Sequence, residues 1–89
     1  MPLRATKPTI GTSRSLIVAA GTDMYDIVHV VVDNASGNTV YIGGPDVDTT
    51  NGFPIANGGV ASLDLGPSDD LYAVAGSNSV INVLAGRQN

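Results

Sequence analysis

The chain has 89 residues, a net charge of −4, no cysteine, no tryptophan and a single histidine. That length makes one small domain, which buries a smaller share of its surface than a large one and gains from oligomerisation. Disulfides and thiolate metal sites are excluded. No apolar run reaches the roughly 18 residues of a membrane span, and no charged-then-apolar leader opens the sequence.

Composition sets the fold class. There is no glutamate and only one lysine, while Val, Gly, Ala, Asn, Asp, Ser and Thr dominate. Helix surfaces are normally filled with Glu, Lys, Gln and Arg. Valine-rich segments between Gly, Asn, Asp and Pro clusters read as strands and turns. The expectation is an all-β protein, a small antiparallel β-sandwich or barrel of about six strands with an extended N-terminal arm.

Residues 1–14 form that basic arm and 15–89 the β-sandwich domain. Arg4, Lys7 and Arg14 are three of the four basic residues, and no acid precedes Asp23. The body holds all eight aspartates against Arg87 alone. Such asymmetry fits a frayed terminus or an arm crossing onto an acidic neighbour, and both readings stay open. Nucleic acid is not expected as a partner, because the body would repel phosphates and lacks a basic stripe with stacking aromatics.

After the arm, "SLIVAAG" (15–21) reads as a strand and "YDIVHVVVDNA" (25–35) as the strongest one. Side chains alternate along a strand, so Val28, Val30 and Val32 share one face and Ile27, His29 and Val31 the other. Apolar residues on both faces mark a central strand. "DNASGNT" supplies hairpin chemistry through Asn34, Gly37 and Asn38, and "TVYIGG" (39–44) returns with Val40 and Ile42 inward and Tyr41 outward. Beyond a long loop, "VASLDLG" (60–66) points Ala61, Leu63 and Leu65 in, with Ser62 and Asp64 out. "GPSDD" is a turn with Pro67 at its first central position. "LYAVAG" (71–76) and "VINVLAG" (80–86) complete the set as a last hairpin around Ser77–Asn78.

Little in the chain suggests catalysis. Nucleophilic chemistry needs a base beside the nucleophile and a third group to orient it, yet the one histidine, His29, sits mid-strand between valines. The aspartates fall almost wholly in turns, where a facing carboxylate pair across a cleft is not expected. "GTSRS" lacks the helix that a phosphate-cradling loop needs. No enzyme, no cofactor and no metal is expected.

The loop "GGPDVDTTNGFPIANGG" (43–59) is the remaining candidate. Asp46, Asp48 and Asn51–Gly52 resemble the alternating oxygens of a calcium loop, but the spacing is off by one residue and no bidentate acid follows. Asp and Asn also make turns by bonding their own backbone. Gly43–Gly44 lets the chain turn out of the strand, and Pro45 blocks further ladder pairing. "GFPI" then presents Phe53 and Ile55 around Pro54, either as a plug over the end of the sandwich or as a contact for another subunit.

These residues carry a resemblance. "NTVYIGGPDVDTTNGFPIANGG" followed by "LYAVAGSNSVINVLAG" resembles a family of small virion proteins of tailed bacteriophages. Its motif is N-x-V-Y-[IVL]-G-G-x-D-V-T-T-x-N-G-x-P-[LI], then a glycine-bearing turn and strands similar to "LDL" and "LYA[VI]A". The match runs from about residue 38 to 85, with Asp48 where the family more often has threonine. The resemblance implies a β-sandwich on the virion, and for a chain of this size a decoration (cement) protein. It would bind the major capsid protein on the outer capsid surface as a homo-oligomer, a trimer favoured, with no membrane partner. A receptor- or glycan-binding module of a head fibre or tail is the alternative. The resemblance places Asn38, Tyr41, Gly43, Gly44, Asp46, Asn51, Gly52 and Pro54 as motif positions that shape the loop. Arg4, Lys7 and Arg14 are the expected capsid or subunit contacts, with Phe53 and Ile55 for subunit packing.

Overall fold

A computed structural model describes residues 3–19, 27–67 and 69–88. The strands are β1 (Leu3–Thr6), β2 (Thr9–Ile10), β3 (Ser15–Val18), β4 (Ile27–Asp33), β5 (Val40–Gly43), β6 (Phe53–Ile55), β7 (Val60–Leu65), β8 (Leu71–Ala75), β9 (Ser79–Val80) and β10 (Asn82–Gln88). They form two four-stranded sheets, ordered β1-β10-β4-β7 and β3-β8-β5-β6, and a two-stranded ladder of β2 with β9. Every pairing is antiparallel. The protein is all-β.

One rule generates this topology. The first five strands pair in reverse order with the last five, β1 with β10, β2 with β9, β3 with β8, β4 with β7 and β5 with β6. The chain is therefore a single long hairpin, doubled back through residues 44–52 and rolled up. Contacts of β10 with β4 and of β8 with β5 close the roll into two sheets. That is the jelly-roll arrangement. The long loop of the sequence is the vertex of the whole hairpin.

Alternation fixes which residues enter the core. Val28, Val30 and Val32 on β4 are buried and oppose Leu65, Leu63 and Ala61 on β7. Across the other ladder, Val83 and Ala85 of β10 oppose Val32 and Val30. In the second sheet Val40 and Ile42 oppose Ala75 and Ala73. β-branched side chains suit such a pleated, half-buried surface, and small alanines opposite them leave room for the facing sheet.

All six expected strands have counterparts among the described residues, with 80–86 split between β9 and β10 and with residues 20–21 and 25–26 of the first two outside the described residues; two expected hairpins are not formed. β4 and β5 lie in different sheets, as do β8 and β10. At the first corner Asn34 accepts the N–H of Gly58 at 2.6 Å and donates its own to Gly59 at 2.9 Å, which ties the end of β4 to the β6–β7 connection instead of to β5. At the second, Ile81 is fully buried and its N–H reaches Pro8 O at 3.2 Å, drawing the chain off β8 into the other sheet.

The N-terminal arm is also corrected. Residues 3–10 are extended, yet they lie along their own domain: β1 pairs with β10, and the register runs on from Thr6↔Val83 to Thr9↔Val80 without a slip. Ile10 is 0% exposed and belongs to the core. The physical reason is the open side of β10, whose ladder groups the arm satisfies. No domain boundary separates residues 3–14 from the sandwich.

Candidate contact surface

The hairpin vertex folds back over the outer face of the sheet that contains β5 and β8. Val47 donates its N–H to Gly44 O at 3.1 Å, closing a tight turn, and its side chain is only 2% exposed. Val74 points to the outer face, opposite Tyr41, yet is also buried. Val47 and Val74 line one cleft together with Thr12, Ser13, Arg14 and Asp48. Val47 is thus a small hydrophobic stud that fastens the loop to the sheet.

Polar side chains lock the rest of the loop. Asp48 Oδ1 accepts the backbone N–H of Thr50 and of Asn51, both at 2.8 Å. In return Asn51 Oδ1 accepts the N–H of Asp48 at 2.9 Å, and Asn51 Nδ2 donates to Asp46 O at 3.3 Å. The bonds from Asn51 and Thr50 hold the Asp48 carboxyl below the usual aspartate range, and the Arg14 charge adds a smaller pull in the same direction. Gly52 is required by space, because a Cβ there would lie 2.6 Å from the Tyr41 Cβ and 2.8 Å from Val47. Asp48 works as a turn residue through its backbone bonds. Among the described residues no three Asp, Glu, His or Cys side chains gather at a point that could hold a metal.

The expected contact residues are scattered. Arg4 is exposed on the edge strand β1. Lys7 Nζ donates to Asn82 Oδ1 at 2.8 Å, and Arg14 donates to Pro45 O at 2.6 Å, so both are engaged within the chain. Phe53 is 63% exposed at the start of the edge strand β6. Ile55 is a correction: at 4% exposure it is a core residue, opposite the buried Val40 and packed into the same hydrophobic cluster. Neither Phe53 nor Ile55 is the side chain that fastens the vertex. Val47 is.

The remaining motif residues frame the vertex. Asn38 Nδ2 reaches Ser79 Oγ at 3.2 Å and Asn78 O at 3.4 Å, joining the start of β5 to the β8–β9 turn. Tyr41 and Pro54 face each other across the β5–β6 ladder. A Cβ on Gly43 would press on Val47 at 3.1 Å, whereas one on Gly44 would meet only Asp46 Oδ1 at an ordinary 3.8 Å. An open pocket of about 320 Å³ is lined by Asn38, Thr39, Tyr41, Thr49, Gly76 and Ser77.

Two features escaped the sequence. Asn34 is fully buried and is the polar hub of the corner. Its Nδ2 donates to Ile55 O at 2.6 Å and Asn38 O at 2.7 Å, and its Oδ1 accepts from Ser36 Oγ at 2.7 Å and Ser36 N at 3.2 Å. The second is a cross-strand pair on the outer face of the other sheet, where His29 Nδ1 lies 2.6 Å from Asp64 Oδ1. A histidine oriented by a carboxylate is two parts of a proton-transfer constellation. The third part is not built here: the neighbours of His29 on that face are Ile27 and Val31 along β4 and Gly86 across on β10, and a flat sheet face aims no converging donors at a reacting oxygen. The pair is an exposed cross-strand contact. Its signal is legible only once the register is known.

No family model matches the chain, and no curated protein matches it. Among solved structures it is similar to a protein described with the words "Bacillus endospore appendages form a novel family of disulfide-linked pili". The TM-score is 0.67 over 99% of this chain and 85% of that one, at 16% sequence identity. At that identity the likeness is one of fold.

Proposed function

We propose that this chain is a structural virion protein that decorates the outer surface of a phage capsid and stabilises the shell. The observation that carries the reading is the construction of the hairpin vertex. The most distinctive segment of the sequence, and the one that bears the resemblance to virion proteins, turns its polar side chains onto its own backbone and fastens itself with Val47. Through Asp48 and Asn51 it holds one shape. The mechanism is multivalent burial: many copies, each touching neighbouring capsid subunits, raise the free energy needed to part them.

The fold likeness to a pilus protein supports a role in surface assembly. Its disulfide linkage does not carry over, since this chain has no cysteine. Copies of this chain cannot be joined by disulfides. The test is binding of the purified protein to capsids stripped of it, followed by their resistance to heat. Saturable binding with a raised rupture temperature supports decoration, and absence of binding refutes it.

A second reading, recognition of a glycan receptor, rests on the pocket beside Tyr41. An aromatic ring with the side chains of Asn38, Thr39, Thr49 and Ser77 around it offers the apolar face and hydrogen-bonding groups that a sugar uses. Tyr41→Ala would abolish binding to a glycan surface and leave capsid binding unchanged if this reading holds.

A further inference from the structure

Each four-stranded sheet has two edges, and the chain treats them unequally. The edges are β1 and β7 in one sheet and β3 and β6 in the other. Only residues 56–59 join β6 to β7. Four residues span at most about 14 Å, and the Gly59 N–H bonded to Ala56 O at 2.8 Å folds these four into a turn, which leaves little more than the roughly 10 Å between packed sheets. The β6 and β7 edges therefore share one flank of the sandwich, and β1 and β3 form the opposite one.

Unprotected edges recruit other chains, so proteins blunt them with charge, proline, bulges or short length. β3 carries a register shift between Leu16 and Val18. β6 is three residues long and contains Pro54. β1 carries Arg4 and runs into Lys7 and Pro8. Among the described residues β7 carries only one of these devices, the charge of Asp64. It is six residues long, pairs with β4 in unbroken register, holds no proline and no basic residue, and leaves Val60 64% exposed.

We infer that β7 is a docking edge for β1 of a second copy of this chain, so that copies associate head to tail through a continuous sheet. Two observations choose this occupant. Strand direction alternates across β1-β10-β4-β7, so a neighbour in the same orientation presents its β1 antiparallel to β7, like every other ladder in the molecule. The net charge of the segments then selects the partner flank: residues 3–19 hold three basic residues and no acid, whereas residues 27–67 hold four aspartates, Asp64 on β7 among them, and no lysine or arginine. β1 against β1 brings like charges together, as does β7 against β7. Such a heterologous contact closes into a ring or runs on as a filament. The inference deepens the decoration reading by naming the partner, and the two can fail separately.

The absence of native cysteine makes the test direct. Ala5 and Ser62 are exposed and share one row of the sheet, through Leu84 and Val31. Ala5→Cys and Ser62→Cys proteins, mixed under mild oxidation, are expected to form the mixed disulfide at least tenfold faster than either forms a disulfide with itself. Preferential Ser62→Cys self-linking, or linking no faster than in urea, overturns the inference. In parallel, Ser62→Lys is expected to weaken self-association at least tenfold in sedimentation with no change in unfolding midpoint. Unchanged association of that variant, or a monomeric wild type at every concentration, also overturns it. A monomer that still binds capsids would sink this inference and leave the decoration reading standing.

Discussion

Asn34→Ala removes the side chain on which the corner between the two sheets turns. Four hydrogen bonds go with it, two donated by Nδ2 and two accepted by Oδ1. They are not equivalent. Asn38 O retains Ser36 Oγ at 3.3 Å, and Ser36 is half-buried and can turn to water. Ile55 O loses its side-chain donor within the buried corner but stays in the ladder pair with Val40, so this bond counts as an ordinary buried one, about 0.5–1.5 kcal/mol. The remaining bonds add about 0.5–1.5 kcal/mol each where water does not replace them. Four such bonds sum to about 2–6 kcal/mol, against a total stability of about 4–13 kcal/mol for a domain of this size.

Urea unfolding, with the slope and midpoint fitted together, measures it. Asn34→Asp separates hydrogen bonding from packing. It keeps the volume but loses both donors and sets a negative charge against the Asn38 and Ile55 carbonyls, so it should cost at least as much as alanine. Ser36→Ala should cost about 1 kcal/mol. A loss below about 1 kcal/mol for Asn34→Ala, or an aspartate better tolerated than alanine, would refute the hub.

The same structure sets the outcome of other substitutions. Ile10→Ala should cost about 2–5 kcal/mol, as for any fully buried isoleucine, and an unchanged melting temperature would show that the N-terminal strands are not part of the domain. Gly52→Ala drives a methyl into Tyr41 and Val47 and should cost about 1–3 kcal/mol in thermal unfolding; a neutral result would mean that the vertex is loose. The Asp48 carboxyl is held below its usual range, so its contribution is complete above that range and is lost as pH falls through the folded value. Melting curves taken through the acid range should therefore show a component that Asp48→Asn abolishes, because asparagine accepts the same two N–H groups at any pH. His29→Ala, which removes one exposed pair, should shift stability by no more than about 1 kcal/mol in denaturant titration.

Much of this fold is written in short-range pattern. Val28, Val30 and Val32 announce a buried face by alternation alone, and Pro67 sits at its turn, where the Asp69 N–H closes onto Gly66 O at 3.1 Å. Pairing is harder, because it depends on register between distant segments. The two-residue strands β2 and β9 have no periodicity to read, and the His29–Asp64 contact joins residues 35 apart. Asn34 reads as a turn asparagine beside Gly37, since a polar residue that bridges two sheets has the same local sequence as one that only turns a hairpin. Ile55 reads as a contact residue because its partner across the ladder, Val40, is named only by the register. In the loop, glycine and proline mark the bend, but nothing local distinguishes Val47, the fastening side chain, from Phe53.

As proposed, this chain would be a shape-holding surface protein of a virion. Cryo-electron microscopy of particles that carry it tests that claim most directly. A capsid decoration protein is expected to show jelly-roll density on the outer capsid at its threefold or quasi-threefold points, with neighbouring copies in contact flank to flank. Density confined to a fibre or the tail tip would contradict the proposal and turn attention to the pocket beside Tyr41.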